Sequence, residues 1–383
     1  MTMTNRWAMY PGFLIILLFS LFLSSSGANQ NPGTSSTEYK KKEIQLKEVL
    51  KISDKKGDFY FKYPEYAQYF FYSANLIQVD NEGAIYVLDS NRILVFDSGG
   101  NFKKNLVNQG LGPGEATNIS NFLLNRDYAI IHNSNPSKII RLDKKGKHKE
   151  FRVQDETINR FFLFNDDAYY FFVAGVPVIK DGHAEIMDVT HTLVKVSPKG
   201  KLIGDVFSCP VKQFVARNGG LGQIDLGKLL VTPYKEDYFF VSHARKYMVK
   251  LFDLKKKKIV RSFARKYERQ KVPENLAVSL SMERVTLNGR KFYRPPQKYL
   301  NDIQKLLVYK DTLWVVTSTA DKEKGVLVDV FQIDGKYIGN FYLKLSYQAD
   351  YCSFNGYIFA DYLYTIERDE ADNPLIVKYK IEF

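Results

Sequence analysis

From residue 75 onward the chain keeps returning to one pattern, four short apolar runs parted by tight turns. The clearest copy spans residues 75–106, where NLIQVD, AIYVLD, RILVFD and FKKNLV are separated by NEG, SN and SGGN. Runs of this length, rich in Val, Ile, Leu and Phe and bounded by Gly and Asn, read as strands joined by hairpin turns. The order recurs at 119–153, 158–207, 226–263 and 303–343, for example as KLLVTP, YFFVSH, YMVKLFD and IVRSF. A final unit supplies YCSFNGYIF, DYLYTIE and LIVKYKIEF and stops one strand short. Residues 43–52 (EIQLKEVLKI) alternate polar and apolar and have no hairpin partner nearby. A free strand and an incomplete sheet each leave open hydrogen-bonding edges, and pairing them removes both.

The expectation is therefore an all-β chain, a six-bladed β-propeller of four-stranded antiparallel blades over residues 43–383. An N-terminal strand completes the last blade. The competing arrangement of such strands is a β-sandwich, but a repeat of this period favours the ring. Turns after the third strand begin near residues 97, 144, 198, 254 and 334. The last interval is the longest, which places an insert at residues 264–300, with a short helix over Glu274–Glu283 among Pro273, Pro295 and Pro296.

Residues 1–28 read as a secretory signal peptide. Arg6 gives a positive start, Phe13–Leu23 a greasy run, and Ser26 and Ala28 the small residues of a cleavage site. The run is shorter than the roughly 20 residues of a spanning helix. An exported protein is expected, periplasmic or extracellular, with an uncleaved N-terminal anchor as the other outcome. Residues 29–42 read as a flexible tether. Cys209 and Cys352 are the only cysteines, too few for a four-cysteine zinc site or an iron–sulfur cluster. Lys and Arg exceed Asp and Glu for a net charge of +13, which favours anionic partners. Export argues against nucleic acid as one of them. The 26 Tyr and 28 Phe fall mostly in strands, as packing between blades requires, and Asp58–Tyr72 is the best candidate for an exposed aromatic patch.

Residues 84–114 resemble an NHL repeat: an apolar strand ending in Asp89, then Asn91-Arg92-Ile93, then VFD and a glycine turn. Gly110–Glu115 (GLGPGE) resembles the loop after the first blade in bacterial secreted six-bladed propellers of the NHL and TolB-like group. The close likeness covers one blade, and the others keep only the rhythm. It implies the fold, with functions that range from lyases and lactonases to receptor ectodomains and binding proteins. Some of those lyases and lactonases hold zinc or calcium in the central channel.

In that fold family, loops joining second to third strands and loops between blades open on one face around the channel. Asp89, Asn91, Arg92, Glu115, His132, His191, His243, Arg245, Glu367 and Arg368 are expected there as ligand-binding residues. His132, His191 and His243 are the candidates for a metal, although no pair has a ligand-like spacing such as HxH. GLGPGE lacks the Gly-Lys-Ser/Thr of a phosphate loop and reads as a tight turn. On the opposite face the turns carry Lys144, Lys145, Lys147, Lys199, Lys201, Lys255–Lys258 and Lys336, a rim able to meet an anionic envelope surface. No catalytic motif is present. The expected function is that of a secreted monomeric scaffold that binds a protein, peptide or glycan on its channel-face loops. It needs no cofactor. The alternative is a metal-dependent hydrolase or lyase with its site in the channel.

Overall fold

A computed structural model describes residues 44–53, 71, 73–154, 160–165, 168–346 and 354–382. The expected signal peptide, the tether, Cys352 and nearly all of the Asp58–Tyr72 patch lie outside them.

The chain folds as a six-bladed β-propeller. It begins with β1 (Gln45–Ile52). Blade 1 is β2 (Ala74–Val79), β3 (Ile85–Asp89), β4 (Arg92–Phe96) and β5 (Phe102–Asn105). Blade 2 is β6 (Ile119–Leu124), β7 (Tyr128–Ser134), β8 (Ser137–Asp143) and β9 (His148–Arg152). Blade 3 is β10 (Arg160–Asn165), β11 (Ala168–Ala174), β12 (Ala184–Val196), β13 (Leu202–Arg217) and β14 (Leu221–Asp225). Blade 4 is β15 (Leu229–Tyr234), β16 (Tyr238–His243), β17 (Val249–Asp253) and β18 (Lys258–Phe263). The insert follows, with α1 (Glu274–Ser281), β19 (Arg284–Leu287) and β20 (Arg290–Tyr293). Blade 5 is β21 (Ile303–Tyr309), β22 (Thr312–Asp321), β23 (Gly325–Gln332) and β24 (Tyr337–Leu343). Blade 6 is β25 (Gly356–Phe359), β26 (Tyr362–Arg368) and β27 (Pro374–Glu382), with β1 as its outermost strand.

The closing strand behaves as expected. β1 runs antiparallel to β27, from Gln45 opposite Glu382 to Ile52 opposite Ile376. Its far end leans on blade 1. Ile52 is buried with Ile77, Val87 and Phe96, and a Cβ on Gly100 would sit 3.0 Å from Leu50 and 3.1 Å from Ile52.

The core is distributed between blades, as the aromatic-rich strands imply. Six apolar clusters occupy the seams between consecutive blades, for example Phe162, Phe172, Phe239 and Phe252 between blades 3 and 4, and Trp314, Leu363 and Tyr379 between 5 and 6. At the inner rim, carboxamides stitch neighbouring inner strands together. Gln78 donates to the Phe122 carbonyl (2.8 Å) and accepts from Leu124 N–H (2.9 Å). Asn121 donates to the Phe161 carbonyl, Asn165 to the Glu236 carbonyl and Asn355 to the Asn75 carbonyl, each at 2.7 Å. Gln304 accepts from Phe354 N–H at 2.8 Å. Five seams are thus joined side chain to backbone. At the seam between blades 4 and 5, Asp302 and Ile303 N–H donate to the Ala244 carbonyl, and side chains join the blades further out, Tyr247 OH to Asp329 at 2.5 Å and Arg261 to the Asp334 carbonyl.

One blade departs from the four-strand expectation. In blade 3, β12 and β13 run on together far past the blade, pairing from Val196–Leu202 out to Ala184–Ala216, and β14 adds a fifth strand. Residues 184–191 thus form regular strand. Their alternation (AEIMDVTH) is weak because both faces of this projecting ribbon are partly exposed. The insert packs on it through Phe214, Ala216, Val285 and Phe292. A Cβ on Gly222 would lie 2.1 Å from Val285, so only glycine allows this approach. Both elaborations sit on the face where blades connect, the mouth face. Among the described residues no helix is long and apolar enough to cross a membrane.

Candidate functional site: the channel mouth

Strand ends on the mouth face mostly do structural work. Asp89 closes β3 fully buried. Its carboxylate accepts from Ser73 N–H (2.5 Å), just ahead of β2, and pairs with Arg92 at 2.8 Å. Asn91 is exposed in the two-residue turn, where Ser90 takes φ 54°. Asn133 repeats the brace in blade 2, accepting from Thr117 N–H (2.9 Å) and Asn118 N–H (2.8 Å) at the entry to β6. A short polar side chain at the end of the second strand is thus used to hold the entry of the inner strand.

The three histidines lie in strands rather than in loops. His132 is fully buried within β7, with Ser120 Oγ 2.6 Å from Nδ1 and Ser137 Oγ 3.2 Å from Nε2. Phe171 packs edge-on against its ring. Burial lowers its pKa to about 4. His191 lies in β12, its Nε2 3.2 Å from the Gln213 amide, which also donates to Asp225 at 2.6 Å. His243 ends β16, where its Nδ1 accepts Arg245 N–H at 3.3 Å, and burial followed by Arg245 lowers its pKa. Each ring is committed to its own blade. Among the described residues no group of three or more His, Cys, Asp or Glu could hold a metal ion. The residues present therefore do not fit the zinc or calcium of the lactonase-like propellers. The described cysteine, Cys209, is pushed up to about 11 by burial and is no nucleophile.

Glu115 folds back into its own loop, its carboxylate accepting Gly112 N–H at 2.9 Å. That loop is tied outward to blade 2, where Lys138 donates to the Gly112 carbonyl (3.2 Å) and Glu150 accepts Gly114 N–H (3.0 Å). It is a tight turn, but it is held over the outer half of blade 2 and not over the channel mouth, where such a loop was expected.

The channel mouth itself is a cavity of about 620 Å³. Asn75, Lys228, Asn301, Gln304, Lys305 and Phe354 line it where the inner strands of blades 1, 4, 5 and 6 begin, and Glu367, Arg368 and Asp372 line it from β26 and the turn after it. Below it lies a second space of about 570 Å³ walled by inner strands of all six blades. Val231, Lys305, Leu306 and Asn355 border both, so the two adjoin. Inner strands β2, β6, β10 and β21 each carry a β-bulge near their start, at Asn75, Ser120, Phe162 and Gln304. Bulges re-aim side chains beside binding sites, and two of these four line the mouth.

Of the ten residues expected from sequence, Glu367 and Arg368 line this cavity. Glu367 is buried and accepts from Tyr379 OH (2.8 Å) and from Thr365 Oγ1. Arg368 donates to the Asp372 carbonyl at 2.8 Å. Arg245 sits half-buried beside the mouth. Burial, then Arg269 and Arg294, hold it below the ordinary guanidinium value. Arg269 pairs with Asp302 (2.7 Å) and Arg294 with Glu283 (2.9 Å).

Sequence reasoning missed Lys305. It lies inside the inner strand β21, faces the channel, and burial followed by Lys228 lowers its pKa. Its signal was a lysine within an otherwise apolar inner-strand run, IQKLLVY. Asp329 was missed too. It is fully buried in β23 and takes Arg265 Nε at 2.7 Å and Tyr247 OH at 2.5 Å, fastening the root of the insert to blades 4 and 5.

A family described as a six-bladed β-propeller, DUF5128, matches residues 68–195, which span blades 1 and 2 and part of blade 3. None of the curated proteins matches the sequence. Among solved structures, a Bacteroides fragilis protein described as exported aligns at 13% identity with a TM-score of 0.52, covering 89% of this chain and 96% of that one. A Xanthomonas campestris gluconolactonase aligns at 11% identity and TM-score 0.41, covering 88% and 99%. Virginiamycin B lyase from Staphylococcus aureus aligns at 10% and 0.42, covering 89% and 100%. At these identities the likeness is one of fold alone, so the chain is a six-bladed β-propeller whose activity has to be argued from its own side chains.

Proposed function

We propose that this propeller is an exported binding scaffold, periplasmic or extracellular, that takes its ligand at the channel mouth and acts as a monomer without metal or cofactor. The observation that carries the reading is the mouth cavity and the channel space adjoining it, polar at the entrance and mounted on inner strands that are stitched side chain to backbone at five seams. A preformed concavity with a few convergent polar groups on a rigid ring is the usual form of a small-ligand site. Export rests on residues 1–28, and the NHL-like stretch 84–114 supports the secreted-propeller lineage.

The test is a glycan and peptide array read with the wild type and with Asn301→Trp, which fills the mouth from a half-buried position. Binding that the tryptophan abolishes, with the circular dichroism unchanged, supports the reading. Binding that survives it puts the site elsewhere. Turnover of sugar lactones by the wild type would establish the hydrolase alternative in its place.

A further inference from the structure

We infer that the ligand taken at the channel mouth is an anionic sugar, one carrying a carboxylate or sulfate, and that Lys305 anchors its charge. The inference rests on the binding-site reading above and names the chemistry of the same site.

Three observations converge on it. Lys305 and Lys228 both border the mouth cavity, and neither ammonium enters any of the ion pairs found among the described residues. Lys305 also borders the channel beneath, so it stands where the two spaces adjoin, half-buried. A desolvated ammonium without a counter-charge is costly. The depressed pKa that Lys305 acquires from burial and from Lys228 is the expression of that cost. An anion entering the mouth would remove it.

The surrounding charge points the same way. Arg245, Arg269 and Arg294 cluster on blade 4 and the insert, outside the lining itself, and two of them already hold a carboxylate each. In this cluster Arg294 is buried, and its Nε and Nη2 atoms have no hydrogen-bond partner. Of the acids on the far side, Asp372 pairs with Arg368, while Glu367 accepts from the neutral hydroxyls of Tyr379 and Thr365. Among the charged side chains of the lining, Lys228, Lys305 and Arg368 outnumber Glu367 and Asp372 by one.

That the anion is a sugar follows from the rest of the lining. Asn75 and Asn301 present amides, which suit hydroxyl groups as both donor and acceptor, and Phe354 offers an apolar flank. The volume lies in the small-ligand range and accommodates more than a bare inorganic ion.

The experiment is isothermal titration of the full-length mature protein with trigalacturonate, a glucuronate-ended oligosaccharide, a sulfated disaccharide and their neutral counterparts, plus free galacturonate. At least one acidic probe is expected to bind about tenfold or more tighter than its neutral counterpart, a difference typical of one charge-assisted contact. Lys305→Met is expected to erase that preference with a melting temperature no lower than that of the wild type, and Lys305→Arg to restore part of the preference. Runs in two buffers of different ionisation heat at alkaline pH should show proton uptake on binding, because the anion favours the ammonium form of Lys305. Free galacturonate binding as tightly as the trimer identifies a sugar acid rather than a glycan end. Equal affinity for acidic and neutral probes, or a preference untouched by Lys305→Met, overturns the inference while the mouth remains a binding site. Silence from every probe overturns the inference and counts against the mouth itself.

Discussion

His132 shows how a residue chosen for its chemistry can turn out to be architecture. It sits between two serines inside a strand, against Phe171, and its pKa falls from 6.5 to about 4 because burial disfavours the imidazolium. The linkage has a definite sign. Between pH 6.5 and 4 the unfolded chain takes up a proton that the folded chain refuses, so stability falls as the solution is acidified through that window. The shift corresponds to a loss on the order of 3 kcal/mol, complete below about pH 4. His132→Gln has no proton to take up. Urea melts at pH 7, 5.5 and 4 should show a shallower acid decline for the variant than for the wild type, and parallel declines would contradict the burial argument. The same residue marks the limit of sequence reading. Glu367 and Arg368 do line the mouth, but nothing in YAIIHNS says whether His132 faces the opening or the interior. Lys305 was hidden for the converse reason, since a lysine in a strand ordinarily points to water.

At the level of elements, legibility followed hydrophobic contrast. The closing strand was readable because its alternating run had no partner and the last blade lacked a strand. Its junction with blade 1 makes it a latch, with Ile52 buried between blades 6 and 1 while Val49, at the bulge, stays exposed. Ile52→Ala is expected to cost about 2–4 kcal/mol through the cavity it leaves. Val49→Ala should stay within about 0.5 kcal/mol. Denaturant titration of the two variants checks this, and a neutral Ile52→Ala would mean the ring holds without its latch. The long β12–β13 ribbon and β14 were not legible. Half-exposed on both faces, with Pro210 in β13, they carry neither an apolar face nor a clean turn signal.

At the scale of the whole molecule, the two faces differ in how their charge is used. The turns opposite the mouth do bring lysines together, yet acids from the neighbouring turns stand among them. Lys144 pairs with Glu82, Lys255 with Asp237 and Lys310 with Asp361, at 2.5 Å, 2.6 Å and 2.9 Å. Interleaved charge solubilises more than it docks. Little salt-sensitive adsorption to vesicles containing anionic phospholipid is therefore expected in a sedimentation assay at low salt. Tight adsorption reversed by salt would make that rim a functional surface after all.

The inner stitching has a mechanical consequence. A hoop whose inner strands are clasped to one another all the way round resists opening at any one joint, so its bore keeps the same width whether or not a guest occupies it.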